Sequence, residues 1–160
     1  MKKTILSVVL AIAVFVAGAQ TKVTKTSIVS KWSLTAMNIE GVLYYDMDKD
    51  SIALTKTTLD KILASGQDSA TLIDQMKAGL GALKEMVFSF NADGSYSADG
   101  GQENDKGTYT LDEATETITL VTKKEGTQEI KASFKNGRLL LNMPTQGGPP
   151  TIMEFKKEKN

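Results

Sequence analysis

Met86-Val87-Phe88-Ser89-Phe90-Asn91-Ala92-Asp93-Gly94-Ser95-Tyr96 is the stretch that decides the fold. Met86, Phe88 and Phe90 alternate with Val87, Ser89 and Asn91, the period-two pattern of a strand with one face on a core. The run ends in Asn91-Ala92-Asp93-Gly94, which places turn formers where a tight hairpin needs them, and a strand resumes through Tyr96.

The same grammar continues toward the C-terminus. Gly107-Thr108-Tyr109-Thr110-Leu111 leads into an acidic turn, after which Ile118 and Leu120 share one face against Thr117 and Thr119. Ile130, Ala132 and Phe134 alternate with charged and polar neighbours until Asn136-Gly137, a dipeptide suited to a type I′ turn because both central residues need positive φ. Leu139, Leu141 and Met143 return. The only prolines, Pro144, Pro149 and Pro150, mark a loop, and a last strand runs from Thr151 to Lys157. A first strand is expected from about Ile28 to Met37, around Trp32; a further candidate at Val42 to Asp46 could simply extend it. Eight short strands in succession predict an all-β fold, an up-and-down antiparallel barrel whose closure removes exposed sheet edges.

Residues 57 to 84 interrupt the alternation with helical spacing. Thr57 and Asp60 fit a capping box, Gly66 stops the first helix, and a second can start at Asp68 or Ser69. Leu72, Ile73, Met76, Leu80 and Leu83 form its apolar stripe. A two-helix insertion between the first and second barrel strands follows. Its stripe either packs on the sheet or serves as a movable lid, with Gly79 and Gly81 softening the helix.

The N-terminus reads as targeting. Lys2 and Lys3 precede an apolar run from Ile5 to Val16, and Ala17-Gly18-Ala19 supplies small residues for cleavage. The apolar run falls short of the roughly 20 residues of a membrane span. Residues 1–19 are therefore expected to be a cleavable signal peptide, leaving no membrane span, and residues 20–160 one exported domain, soluble in the periplasm or outside the cell. Removing 19 of 160 residues leaves 141, a length for one core. The whole chain balances 19 basic against 19 acidic residues, so loss of Lys2 and Lys3 leaves a net charge of −2. No basic stripe suited to nucleic acid is present outside the terminal lysines.

Absent residues exclude whole chemistries. With no histidine and no cysteine, Ser-His-Asp and Cys-His nucleophiles, imidazole or thiolate zinc sites and disulfides are all impossible. The carboxylates are scattered through turns and outward positions, so no catalytic residues and no cofactor are expected. Asp46, Asp48 and Asp50 match the first, third and fifth positions of a calcium loop. Ser51 replaces its glycine and Thr57 its closing glutamate, so a solvated acidic loop is expected and no metal site.

Trp32 near the start of the first strand, the run Phe88 to Tyr96, and Gly107-Thr108-Tyr109 followed by successive hairpins resemble the bacterial exported lipocalin-like domains. The resemblance covers most of the chain after residue 19. It implies an eight-stranded calycin-type barrel, a long connection between the first two strands beside the ligand entrance, and a small apolar ligand inside. Ser30 stands where that family's Gly-x-Trp signature has glycine.

Trp32 reads as the plug of one barrel end. Phe88, Phe90, Tyr96, Tyr109 and Phe134 are inward candidates for lining a ligand, with Tyr44 at the rim and Leu72, Met76 and Leu80 contributed by the helices. Eight strands enclose a space that side chains just fill or that holds one small ligand. The bulk of this set favours a largely filled interior, with any ligand entering near the helices. Two functions follow: a binding module for a small hydrophobic ligand, or a filled barrel acting through a protein partner in the cell envelope. An internal cavity points to the first, and an exposed helical stripe to the second.

Overall fold

The computed structural model describes residues 21–100, 103–124, 126–145 and 147–159. The expected signal peptide, residues 1–19, lies outside the described residues. The chain enters through a short helix α1 (Lys25–Ile28) and continues as β1 (Ser30–Ile39), β2 (Leu43–Asp46) and β3 (Ser51–Leu54). Helices α2 (Lys56–Ala64) and α3 (Ser69–Leu80) and a 3-10 segment (Gly81–Glu85) follow. The rest is a meander: β4 (Val87–Phe90), β5 (Ser95–Gly100), β6 (Glu103–Asp112), β7 (Thr117–Thr122), β8 (Gly126–Lys135), β9 (Arg138–Met143) and β10 (Thr151–Lys157).

β10 returns to pair antiparallel with β1, from Trp32↔Lys157 to Ile39↔Thr151, and so closes an eight-stranded barrel of β1 and β4 to β10. The other edge of β1 is shared. Ser30 to Ser33 pair with β4, and Ala36 to Ile39 pair with β2. The partners exchange at a β-bulge between Leu34 and Ala36, where Leu34 N–H donates to Met86 and Met47 N–H donates to Thr35. The long insertion thus leaves the barrel and rejoins it at one level of β1.

Two boundaries differ from the sequence expectation. Ile28 belongs to α1 and not to the first strand, because Thr24 and Ser27 make a reciprocal capping box there. The first insertion helix is capped by Thr55, two residues before the expected Thr57, with the Thr55 hydroxyl accepting from Thr58 N–H at 3.3 Å. The segment Val42 to Asp46 does not extend β1; it folds back as β2 and pairs in turn with β3. Asp68 caps α3, as one of the two expected starts. At Asn136-Gly137 φ is +52° and +76°, the pair of positive values a type I′ turn requires.

One end of the barrel is filled. Val23, Ile28, Trp32, Phe90, Tyr109 and Phe134 are buried there. The Trp32 indole N–H donates to the Ile28 carbonyl at 2.7 Å, and its ring lies 5.8 Å from that of Phe134. Phe90 and Tyr109 meet edge to face at 5.0 Å, and the Tyr109 hydroxyl donates to the Asn91 carbonyl. The entering chain is fastened to the β6–β7 turn: Val23 N–H donates to the Glu116 carboxylate at 3.0 Å and Lys25 N–H to that of Glu113 at 2.8 Å. Among the described residues no helix is long and apolar enough to cross a membrane.

Candidate functional site

The opposite end of the barrel holds a cavity of about 240 Å³. Its walls come from inward positions of successive strands. Met86 and Phe88 lead in from the β4 side, Tyr96 and Ala98 from β5, and Leu120 and Met143 from β7 and β9. The opening follows from side-chain size. At the filled end the inward positions of β4 and β6 carry Phe90 and Tyr109; toward the mouth β5 carries Ala98 and Gly100, while Gly107 of β6 lies beneath the Tyr96 ring. A Cβ on Gly107 would sit 2.1 Å from the Val121 carbonyl oxygen and 3.0 Å from the Tyr96 ring, so only glycine lets that ring approach.

The cavity has a polar margin. The Tyr96 hydroxyl donates to the Asp105 carboxylate at 2.9 Å, and Gln128 completes the margin from β8. Asp105 and Gln128 stand on the inward face, where the alternation is otherwise apolar.

The insertion sits at the mouth. Met76 and Leu80 of α3 and Leu83 of the 3-10 segment pack against the barrel core, and the 3-10 segment touches β1 and β5. Asp50, in the β2–β3 turn, fastens it with Lys84 at 2.6 Å and Lys77 at 3.9 Å. The hydrogen bond from Lys84 and then that from the Tyr45 hydroxyl hold the Asp50 carboxyl below the usual carboxylate range. Burial, followed by the bond to Asp50, pushes the Tyr45 phenol up.

Of the residues singled out in the sequence, Phe88 and Tyr96 line this cavity. Trp32, Phe90, Tyr109 and Phe134 are packed in the filled half. Met76 and Leu80 pack against the core without lining this cavity, and Leu72 is half-buried on α3. Tyr44 faces outward, 41% exposed, on a separate cleft. Met86, Ala98, Asp105, Gln128 and Met143 were not singled out as site residues. Their signal was the alternation itself, extended one or two steps: Gln128 precedes Ile130, and Asp105 precedes Tyr109, by even spacings on one face.

Asp46, Asp48 and Asp50 diverge. Asp46 pairs with Lys49 at 2.7 Å, Asp48 lies 3.9 Å from Arg138, and Asp50 takes Lys84 and Tyr45. Among the described residues no three His, Cys, Asp or Glu side chains are grouped to hold a metal ion.

A closed eight-stranded barrel, plugged at one end and with an insertion packed against it toward the other, defines a calycin-type, lipocalin-like fold. The chain belongs to the family described as "Lipocalin-like domain (DUF4923)", whose model matches residues 13–146. A DUF4847 family protein from Bacteroides vulgatus has a similar crystal structure, with a TM-score of 0.52 and 15% identity over 83% of this chain and 95% of that one. At that identity the likeness is one of fold. No curated protein matches the chain.

Proposed function

We propose that this protein is an exported binding module for a small hydrophobic ligand held at the barrel mouth, and that it acts by binding and not by catalysis. On this reading a leader over residues 1–19 is cleaved, and residues 20–160 form one domain in the periplasm or outside the cell. The observation that carries it is the inward-facing cavity of about 240 Å³. A dry cavity of about 150 Å³ already accommodates benzene, and sites for drug-sized ligands start near 300 Å³. The occupant is therefore a single-ring or short-chain molecule. Its one polar end meets Tyr96, Asp105 and Gln128, and its apolar body meets Phe88, Leu120 and Met143. The packing of Met76, Leu80 and Leu83 onto the core favours this reading over a filled barrel with an exposed helical stripe.

Native mass spectrometry of the protein purified from its own envelope fraction tests it. A stoichiometric extra mass that leaves on organic extraction is expected, and it should be lost in Ala98→Leu, which fills the cavity from β5. A bare polypeptide mass, or a second protein in the spectrum with no small molecule, would overturn the reading.

A further inference from the structure

A second hollow lies outside the barrel, on the outward faces of β1, β2 and β10 beside the β8–β9 turn, with a volume of about 630 Å³. Ala36 forms its floor and the exposed Tyr44 part of its wall.

The bulge in β1 builds this place. Among the described residues Thr35 is the one buried polar side chain, 5% exposed, and it occupies the bulge. Its hydroxyl donates to the Glu154 carbonyl at 3.0 Å and accepts from Arg138 Nη1 at 2.8 Å. The same guanidinium lies 3.1 Å from the Glu154 carboxylate and 3.9 Å from that of Asp48. Arg138 is thus held from β1, β10 and the β2–β3 turn before any ligand arrives, which removes much of the ordering cost of binding. A guanidinium carries five N–H donors, more than these contacts use.

Charge selects the ligand class. The cleft brings three cations, Lys49, Lys135 and Arg138, against three carboxylates, those of Asp46, Asp48 and Glu154. An anion would meet the three carboxylates and a cation the three bases. A neutral polyhydroxy molecule meets neither penalty, because each hydroxyl both donates and accepts. Tyr44 adds an apolar ring with a polar tip, the surface on which the C–H face of a sugar ring can lie. A volume of about 630 Å³ falls within the roughly 300–1,000 Å³ of small-molecule sites, large enough for two or three sugar units. We propose that this outer cleft is a second binding site, for a neutral di- or trisaccharide, independent of the cavity inside the barrel.

The test is an NMR titration of the ¹⁵N-labelled protein with maltotriose, cellotriose and N,N′-diacetylchitobiose in turn. The expected result is saturable shifts of the Ala36, Tyr44, Lys135 and Asn136 amides with at least one sugar, while Ala98 and Leu120 stay in place. Tyr44→Ala should weaken that binding about ten-fold, equivalent to about 1.4 kcal/mol. Val121→Ala, a change at another exposed outward position, should leave it unchanged. No saturable shift with any of the three sugars would overturn the proposal. So would shifts confined to the inner cavity, or saturation by inorganic phosphate in place of the sugars.

Discussion

Lys84, in the 3-10 segment at the barrel mouth, donates to Asp50 at 2.6 Å, onto the same carboxylate oxygen that accepts from the buried Tyr45 hydroxyl at 3.0 Å. One turn residue therefore joins the insertion to the β2–β3 hairpin. Asp50 itself has φ +50°, a conformation that Asp and Asn tolerate better than other non-glycine residues. Asp50→Asn consequently removes the charge without straining the turn.

The pH dependence of this fastening follows from the depressed Asp50 carboxyl. A group whose folded value lies below its unfolded value contributes stability above the unfolded value and loses it as pH falls through the folded one. Hydrogen-exchange protection of α3 and the 3-10 segment, measured against the intrinsic rate at each pH, is expected to fall on acidification below about pH 4, while β7 and β8 stay protected. In Asp50→Asn that protection should already be lower at neutral pH, and the acid dependence of the 3-10 segment should shrink, that of α3 being kept in part by its Asp68 cap.

Trp32 fills the closed end and carries one hydrogen bond, and the two contributions can be separated. Trp32→Ala is expected to cost about 3–5 kcal/mol, as large-to-alanine changes in cores do. Trp32→Phe keeps most of the ring contact with Phe134 and loses the bond to the Ile28 carbonyl, about 1 kcal/mol plus the volume difference. Urea unfolding curves of the two variants check the order; an unchanged midpoint in Trp32→Ala would remove the side chain from the core.

Two glycines should respond differently to a methyl group. Gly107→Ala drives a Cβ to 2.1 Å from the Val121 carbonyl oxygen, so β6 and β7 must part, at about 1–3 kcal/mol. Gly137→Ala meets nothing within 4 Å and carries only the strain of φ +76°, about 1–2 kcal/mol. Chemical denaturation gives both values, and Gly107→Ala alone should also disturb the Tyr96 ring signals.

Thr35→Val keeps the shape of the bulge residue and deletes its hydroxyl, leaving the part-buried Glu154 carbonyl one donor short and Arg138 one acceptor short. A loss of about 1–2 kcal/mol is expected. The bound geometry of Arg138 should loosen with it. A crystal structure of the variant in which Arg138 remained fixed would show that Glu154 and Asp48 suffice to hold it.

Much of the barrel was legible because its signals are local. Alternation at Phe88, Phe90, Ile118 and Leu120 marks inward faces, Asn136-Gly137 specifies a turn by its φ requirements, and helical spacing from Leu72 to Leu83 marks the insertion. The β2–β3 hairpin was less legible: Val42 to Asp46 is short, and nothing in its own pattern says which way it folds. The Asp46, Asp48 and Asp50 spacing matches three positions of a calcium loop without its glycine and closing glutamate, and the turn sends each carboxylate to a different cation.

The sequence by itself determined the strand faces, the turn positions and the chemistries that the absence of histidine and cysteine forbids. Only the tertiary structure decided where space remains. A cavity depends on which inward residues meet at one level, and that is set by register between strands and by the closure of β10 onto β1, from Trp32↔Lys157 to Ile39↔Thr151. Ala98 and Gly100 are unremarkable one at a time. Brought beside Met86 and Tyr96 they leave a hollow, whereas Phe90, Tyr109 and Phe134 fill the other end. The outer cleft has the same origin, since Arg138 reaches Thr35 across 103 positions of chain and no local pattern records that meeting.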